Sequence, residues 1–185
     1  MKRFSSIALV IVVTLVILNM SNLPWELRFA APQHNYLFVM ILAIILPASV
    51  LLWSLYRRTK LLKVSGLLVA LAAAVPSFIV FIFAAGDYSE IKQSGVDNSF
   101  AELNRLNVND DNYVLYRTDR GATTSYGLVL RLEREIGFGI HAVKVVHSKY
   151  KAAEGQLELL SESQIKMQIQ PYDTQDQMEV VVLDI

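Results

Sequence analysis

The sequence predicts an α+β chain: three transmembrane helices followed by a small extracytoplasmic domain with a short helix and about six antiparallel strands. Three observations carry that expectation. Residues 4–25, 36–56 and 64–85 are apolar runs without a charged side chain, and the basic residues beside them fall almost entirely on one side. From Tyr113 onward the apolar period changes from helical to alternating. The expected division is a three-helix transmembrane region over 1–86 and a β-rich domain over 87–185.

Each run supplies the roughly 20 apolar residues that a helix needs to cross a hydrocarbon layer. Lys2 and Arg3 precede the first, and Arg57, Arg58, Lys60 and Lys63 separate the second from the third, with no acidic residue in either place. The connection between the first two carries only Glu26 and Arg28 as charges, while Asp87 and Glu90 follow the third. Basic residues in short loops stay cytoplasmic. The N-terminus is therefore expected inside and residues 87–185 outside, in a multi-pass protein of the bacterial cytoplasmic (inner) membrane. A cleaved signal peptide fits less well. Lys2, Arg3 and the run from Ile7 to Leu18 supply its basic and apolar parts, but residues 19–24 lack a small-x-small site and Ala30-Ala31 follows Arg28 and Phe29.

Within the runs, Tyr36, Trp53 and Tyr56 sit near the ends of the second, where amphipathic rings prefer the bilayer interface. Pro47 and Pro76 fall mid-run, as membrane helices tolerate. Gly66, Ala70, Ala73 and Ser77 recur at helical spacing on the third and would let another helix approach closely. Packing inside the chain is the plainer use of that stripe, and a homo-oligomer seam is the other. The runs hold none of the Asp, Glu, Lys or Arg expected of a proton relay or ion pathway, which argues against a transporter or channel.

The outer part has 10 Lys or Arg against 16 Asp or Glu over residues 87–185, a net of −6 concealed by the neutral total. Such a domain lacks the clustered positive charge that nucleic acid requires. A basic protein is its favoured electrostatic partner. The chain has no cysteine, so disulfides, thiolate metal sites and a cysteine nucleophile are excluded.

Residues 86–98 read as a polar exit from the membrane. Ser99-Phe100-Ala101-Glu102 matches a capping box, and with Leu103 and Leu106 on one helical face it predicts a brief helix over 100–106. Alternation then takes over. Leu128, Leu130 and Leu132 oppose Arg131, Glu133 and Glu135, and Ile165, Met167 and Ile169 oppose Lys166, Gln168 and Gln170. Further strands are expected at 113–118, 140–150, 156–160 and 178–184, with turns at 119–121, 137–139, 154–155, 161–163 and 171–173.

The most distinctive string is Tyr116-Arg117-Thr118-Asp119-Arg120-Gly121-Ala122-Thr123-Thr124-Ser125-Tyr126. It resembles the Asp-x-Gly-Ala-Thr-Thr-Ser-aromatic string of an uncharacterised bacterial family of small envelope or secreted β-rich domains, with a strand, this turn and a second strand. The likeness extends in strand rhythm over residues 112–185. It implies a fold and an address, and brings no catalytic assignment. Members of that family often carry Cys where this chain has Arg120, so a thiol-dependent role is not implied here. Physically the string is a turn: Gly121 accepts a positive backbone angle, and Asp119 and the threonine hydroxyls can satisfy nearby amides. If the domain has a binding site, Asp119, Arg120, Gly121, Thr123, Thr124, Ser125 and Tyr126 are its candidate residues, since a fixed turn there displays hydroxyls, a guanidinium and a ring.

Catalytic and metal motifs are weak. His141 and His147 fall on one face of an ideal strand but about 20 Å apart, too far for one ion. Ser125, His141 and Asp119 can be assembled on paper into a triad, yet no nucleophile elbow surrounds the serine. Glu133 and Glu135 read as an exposed charge ladder with Arg131. Gly137-x-Gly139 lacks a third glycine and a following helix. No catalytic residue, metal or cofactor is expected. The sequence thus predicts a noncatalytic integral membrane protein of the bacterial cell envelope, held in the lipid bilayer, whose outer domain binds a protein or polar envelope component. The alternative is an immunity protein against a membrane-acting or periplasmic toxin.

Overall fold

In a computed structural model of the chain, which describes residues 2–19, 23–109, 111–119, 125–171 and 177–185, three α-helices and eight strands alternate unevenly along the sequence. Their order is α1 (Lys2–Leu18), β1 (Glu26–Phe29), α2 (Pro32–Leu55), α3 (Lys60–Ser94), β2 (Phe100–Val108), β3 (Asp111–Thr118), β4 (Gly127–Gly137), β5 (Ile140–Tyr150), β6 (Ala152–Ser161), β7 (Gln164–Pro171) and β8 (Glu179–Asp184). They form two compact units, one of Met1–Leu23 with Ala31–Gln93, the other of Pro24–Ala30 with Ser94–Ile185.

In the helical unit, α2 and α3 are long and apolar enough to cross a membrane, and α1 falls short of that length. The expected first span over 4–25 is therefore corrected to a helix of 17 residues, about 26 Å long. Its last turn closes where Asn19 N–H donates to Leu15 and Val16 carbonyls, and Pro24 already belongs to the β unit. Pro at the start of α2 is well placed, because the amide it lacks would have had no partner in the first turn. The helix α3 runs through the predicted polar exit to Ser94, so Asp87, Glu90 and Lys92 lie on a helical extension beyond the apolar run.

The β unit is a two-layer sandwich. Antiparallel strands pair in the order β1-β5-β4-β3-β2 in one sheet and β6-β7-β8 in the other. Tyr113, Leu115, Leu128, Leu130 and Leu132 of the larger sheet are buried against Ala152, Leu157, Ile165, Met167 and Ile169 of the smaller. The alternation predicted for β4 and β7 is what places these side chains on one face.

Two expectations are corrected here. The predicted helix over 100–106 is strand β2, and with β1 it raises the strand count from about six to eight. A bulge in β2 between Glu102 and Asn104 explains the misreading. Leu103 and Leu106 both pack on the core, although a regular strand would send residues three apart to opposite faces; the extra residue restores a shared face and so mimics helical spacing. Likewise the predicted turn at Glu154-Gly155 lies inside β6. A Cβ on Gly155 would stand 2.9 Å from Leu115 Cδ2 and from Leu128 Cδ1, and 3.1 Å from the Gln168 carbonyl oxygen. Glycine is there because the two sheets approach closely.

Candidate functional site

The face of the larger sheet turned away from the sandwich core carries most of its charge. Register assigns Glu26 and Arg28 of β1, Phe100, Glu102 and Arg105 of β2, Tyr116 of β3, Arg131 and Glu133 of β4, and His141 of β5 to that face. Glu26 and Glu133 are buried, so each needs a donor. Arg28 gives Glu26 Oε2 two hydrogen bonds, from Nε at 3.1 Å and Nη2 at 2.8 Å. Tyr116 Oη donates to Glu133 Oε1 at 2.8 Å, and His141 Nδ1 stands 3.7 Å from Glu133 Oε2.

Arg131 lies over the Phe100 ring at 4.0 Å and over the Tyr116 ring at 5.6 Å, the two ring centroids being 4.5 Å apart. Its buried Nε has no hydrogen-bond partner among the described residues. The ring faces add favourable electrostatics to those of the nearby Glu26 and Glu133 carboxylates. Burial pulls the Arg131 guanidinium below its ordinary pKa, with Arg28 adding repulsion. Burial pushes the Tyr116 phenol well up, and the Glu133 carboxylate pushes it further. Arg105 is raised by its two hydrogen bonds to Glu102. This cluster balances charges against one another on one face of the sheet, where β1 is held by its pairing to β5.

The exposed charge ladder expected on β4 is therefore corrected. Arg134 and Glu135 are exposed, but Glu133 is only 6% exposed. Alternation identifies a face and cannot say whether that face is covered. His141 and His147 do not share a face either. Leu130 pairs with His147 while Arg131 pairs with Val145, so a bulge at Val146 reverses the phase of β5. His141 meets Glu133, and His147 takes the side of core residue Leu130.

Of the candidate turn residues, Arg120, Gly121, Thr123 and Thr124 lie outside the described residues. Asp119, Ser125 and Tyr126 frame the β3–β4 connection. Asp119 N–H donates to the Ser99 carbonyl at 3.0 Å, Ser125 N–H reaches Tyr150 Oη at 3.4 Å, and Ala152 N–H donates to the Tyr126 carbonyl at 3.1 Å. Arg117 stacks over the Tyr126 ring at 5.1 Å. Ser125, His141 and Asp119 are not assembled as a triad. His141 pairs with Glu135, eight residues along β4 from the loop end at Gly127, a separation of about 26 Å. Among the described residues no group of three His, Asp or Glu could hold a metal ion.

Comparison with protein-family models, with curated proteins and with solved structures finds no match to this chain. Sequence reasoning passed over Glu26 and Tyr116 as members of this cluster and read Arg131 and Glu133 as an exposed ladder. One signal for the first was present: Trp25-Glu26-Leu27-Arg28-Phe29 alternates within the connection between two apolar helices, as an edge strand does.

Proposed function

We propose that this chain is a noncatalytic protein of the bacterial cell envelope, anchored in the cytoplasmic membrane by its helices, whose β domain binds a protein or polar envelope component on the outer side. One observation carries the reading: β1, which precedes α2, pairs with β5, which follows α3. Two crossings return a chain to the side it left. The pairing therefore suits a membrane crossed by both α2 and α3, and it puts β1 and the later strands in one compartment. With α2 and α3 as the two crossings, the basic residues over 57–63 between them face the cytoplasm, in keeping with the charge rule.

The binding element is the β3–β4 loop. Its described ends are tied to Ser99 just before β2 and to Tyr150 and Ala152 at the β5–β6 junction. The resemblance of the 116–126 string to envelope domains supports the same address. The test is photocrosslinking in intact cells from position 124, with Gln168 on the outer face of the smaller sheet as the comparison site. One partner captured from 124 and not from 168 is the expected result. Capture from neither position, with the protein folded and in the membrane, would remove the binding role.

A further inference from the structure

The tip of the β4–β5 hairpin exposes two apolar side chains that the fold does not use. Phe138 is 105% exposed and Ile136 is 62% exposed. The turn is an awkward one for an aromatic residue: Phe138 has φ 54, between Gly137 at φ 122 and Gly139 at φ 70. Left-handed backbone suits Gly, Asn or Asp, so neither turn geometry nor core packing accounts for phenylalanine here. What lies beside this tip is decided by the chain itself. Gly139 carbonyl accepts a hydrogen bond from Ala30 N–H at 2.8 Å, and Phe29 pairs with Ile140. Ala30 is followed at once by Ala31 and by Pro32, the first residue of α2, a covalent reach of about 7 Å.

We infer that the 136–138 tip dips into the outer interface of the bilayer at the point where α2 enters it, as a lipid-docking loop. The inference rests on the membrane-anchored reading above. Connectivity names the occupant: an apolar tip tethered within two residues of a membrane-entering helix meets the lipid surface before any soluble partner. Apolar and aromatic side chains partition favourably there. The tip carries no charge to oppose entry, since residues 136–140 are Ile-Gly-Phe-Gly-Ile.

The chain has no cysteine, so single-cysteine variants of the full-length protein can be labelled without background. An environment-sensitive fluorophore is placed at Phe138→Cys, at Ser163→Cys in the exposed β6–β7 turn, and at Ile44→Cys midway along α2, in nanodiscs of phosphatidylcholine and phosphatidylglycerol. The expected result is a blue-shifted emission at 138 quenched by lipids spin-labelled near the headgroup, quenching at 44 by lipids labelled deep in the chain, and none at 163. Quenching at 44 with a water-exposed label at 138 overturns lipid docking and leaves the anchored reading intact. A water-exposed label at both 44 and 138 overturns both.

Discussion

Tyr116 on β3 donates its hydroxyl hydrogen to Glu133 on β4 at 2.8 Å, a diagonal reach, since Tyr116 pairs with Val129 and Glu133 with Asn112. Val114 lies between them on the same face and is wholly inaccessible. Removing the donor leaves a buried carboxylate short of a partner, which costs about 1–3 kcal/mol. Tyr116→Phe should therefore lower unfolding stability by about that much, measured by denaturant titration of the full chain in detergent. An unchanged midpoint would mean that Glu133 is served by water instead.

The same phenol sets an alkaline limit. Its folded pKa is raised, first by burial and then by Glu133, so the folded state holds this proton over a range where the unfolded state releases it. The stabilisation is complete below the ordinary tyrosine value and is lost as pH rises through and above it. In a spectrophotometric titration Tyr116 should ionise late, as should Tyr113, whose phenol burial also raises, and the late step should be smaller by one tyrosine in Tyr116→Phe. An undiminished late step in the variant would assign it elsewhere.

Strand β1 makes the β domain depend on a segment that precedes two helices. Residues 94–185 expressed alone lack β1, which exposes the hydrogen-bonding edge of β5 and removes Glu26 and Arg28. An open edge invites pairing with another chain. The fragment should self-associate on size-exclusion chromatography, and a peptide of residues 24–30 added in excess should reduce that. A monomeric fragment that melts like the intact domain would make β1 dispensable.

Asp111 and Arg134 form an exposed pair with contacts of 2.5 and 2.7 Å. The hydrogen bond from Arg134 holds the Asp111 carboxyl below its ordinary value. A depressed folded pKa stabilises above the unfolded value, and the contribution disappears as pH falls through the folded one. Solvent keeps it small. Arg134→Gln should raise the Asp111 carboxyl pKa in an NMR titration while leaving the fold unchanged; an unmoved titration would deny the pair any role in solution.

How much of this was readable depended on length and regularity. Strands β3, β4, β5, β7 and β8 announced themselves by alternation, because one side of each packs on a core and six or more residues repeat the pattern. Strand β1 has only four residues, too few to separate from a loop. Bulges at Leu103 and Val146 changed phase without any marker in the sequence, which turned β2 into an apparent helix and put two histidines on the wrong face. The break between β3 and β4 was legible from the polar, glycine-containing string that separates two alternating runs. The buried charge cluster was not, because Glu26 and Arg131 are brought onto one face only by pairing across more than a hundred residues.

Gly155 offers a test of sheet packing. A methyl group there meets two leucine ends at 2.9 Å and a backbone oxygen at 3.1 Å; the leucines can shift, but the carbonyl is held in the β7 ladder. Gly155→Ala should destabilise by about 1–3 kcal/mol, the usual range for overpacking, although alanine is otherwise easier to order than glycine. A neutral or stabilising effect in denaturant titration would show that the two sheets can separate slightly at no cost.

The helical unit allows a test with an opposite sign built into it. Gly66 of α3 packs against Ser54 of α2 so closely that a Cβ on Gly66 would collide with the Ser54 Cβ, and Ser54 is 1% exposed with its hydroxyl bonded to the Leu51 carbonyl at 2.7 Å. By helix propensity alone, Gly66→Ala should stabilise α3 by about 1 kcal/mol. The close approach reverses that expectation, so the variant should lower the melting temperature of the detergent-solubilised chain. Ser54→Ala retains the Cβ and should not relieve it, whereas Gly66→Ala combined with Ser54→Gly moves the methylene from one helix to the other and should recover most of the loss. If Gly66→Ala alone is stabilising, the two helices do not meet at these residues.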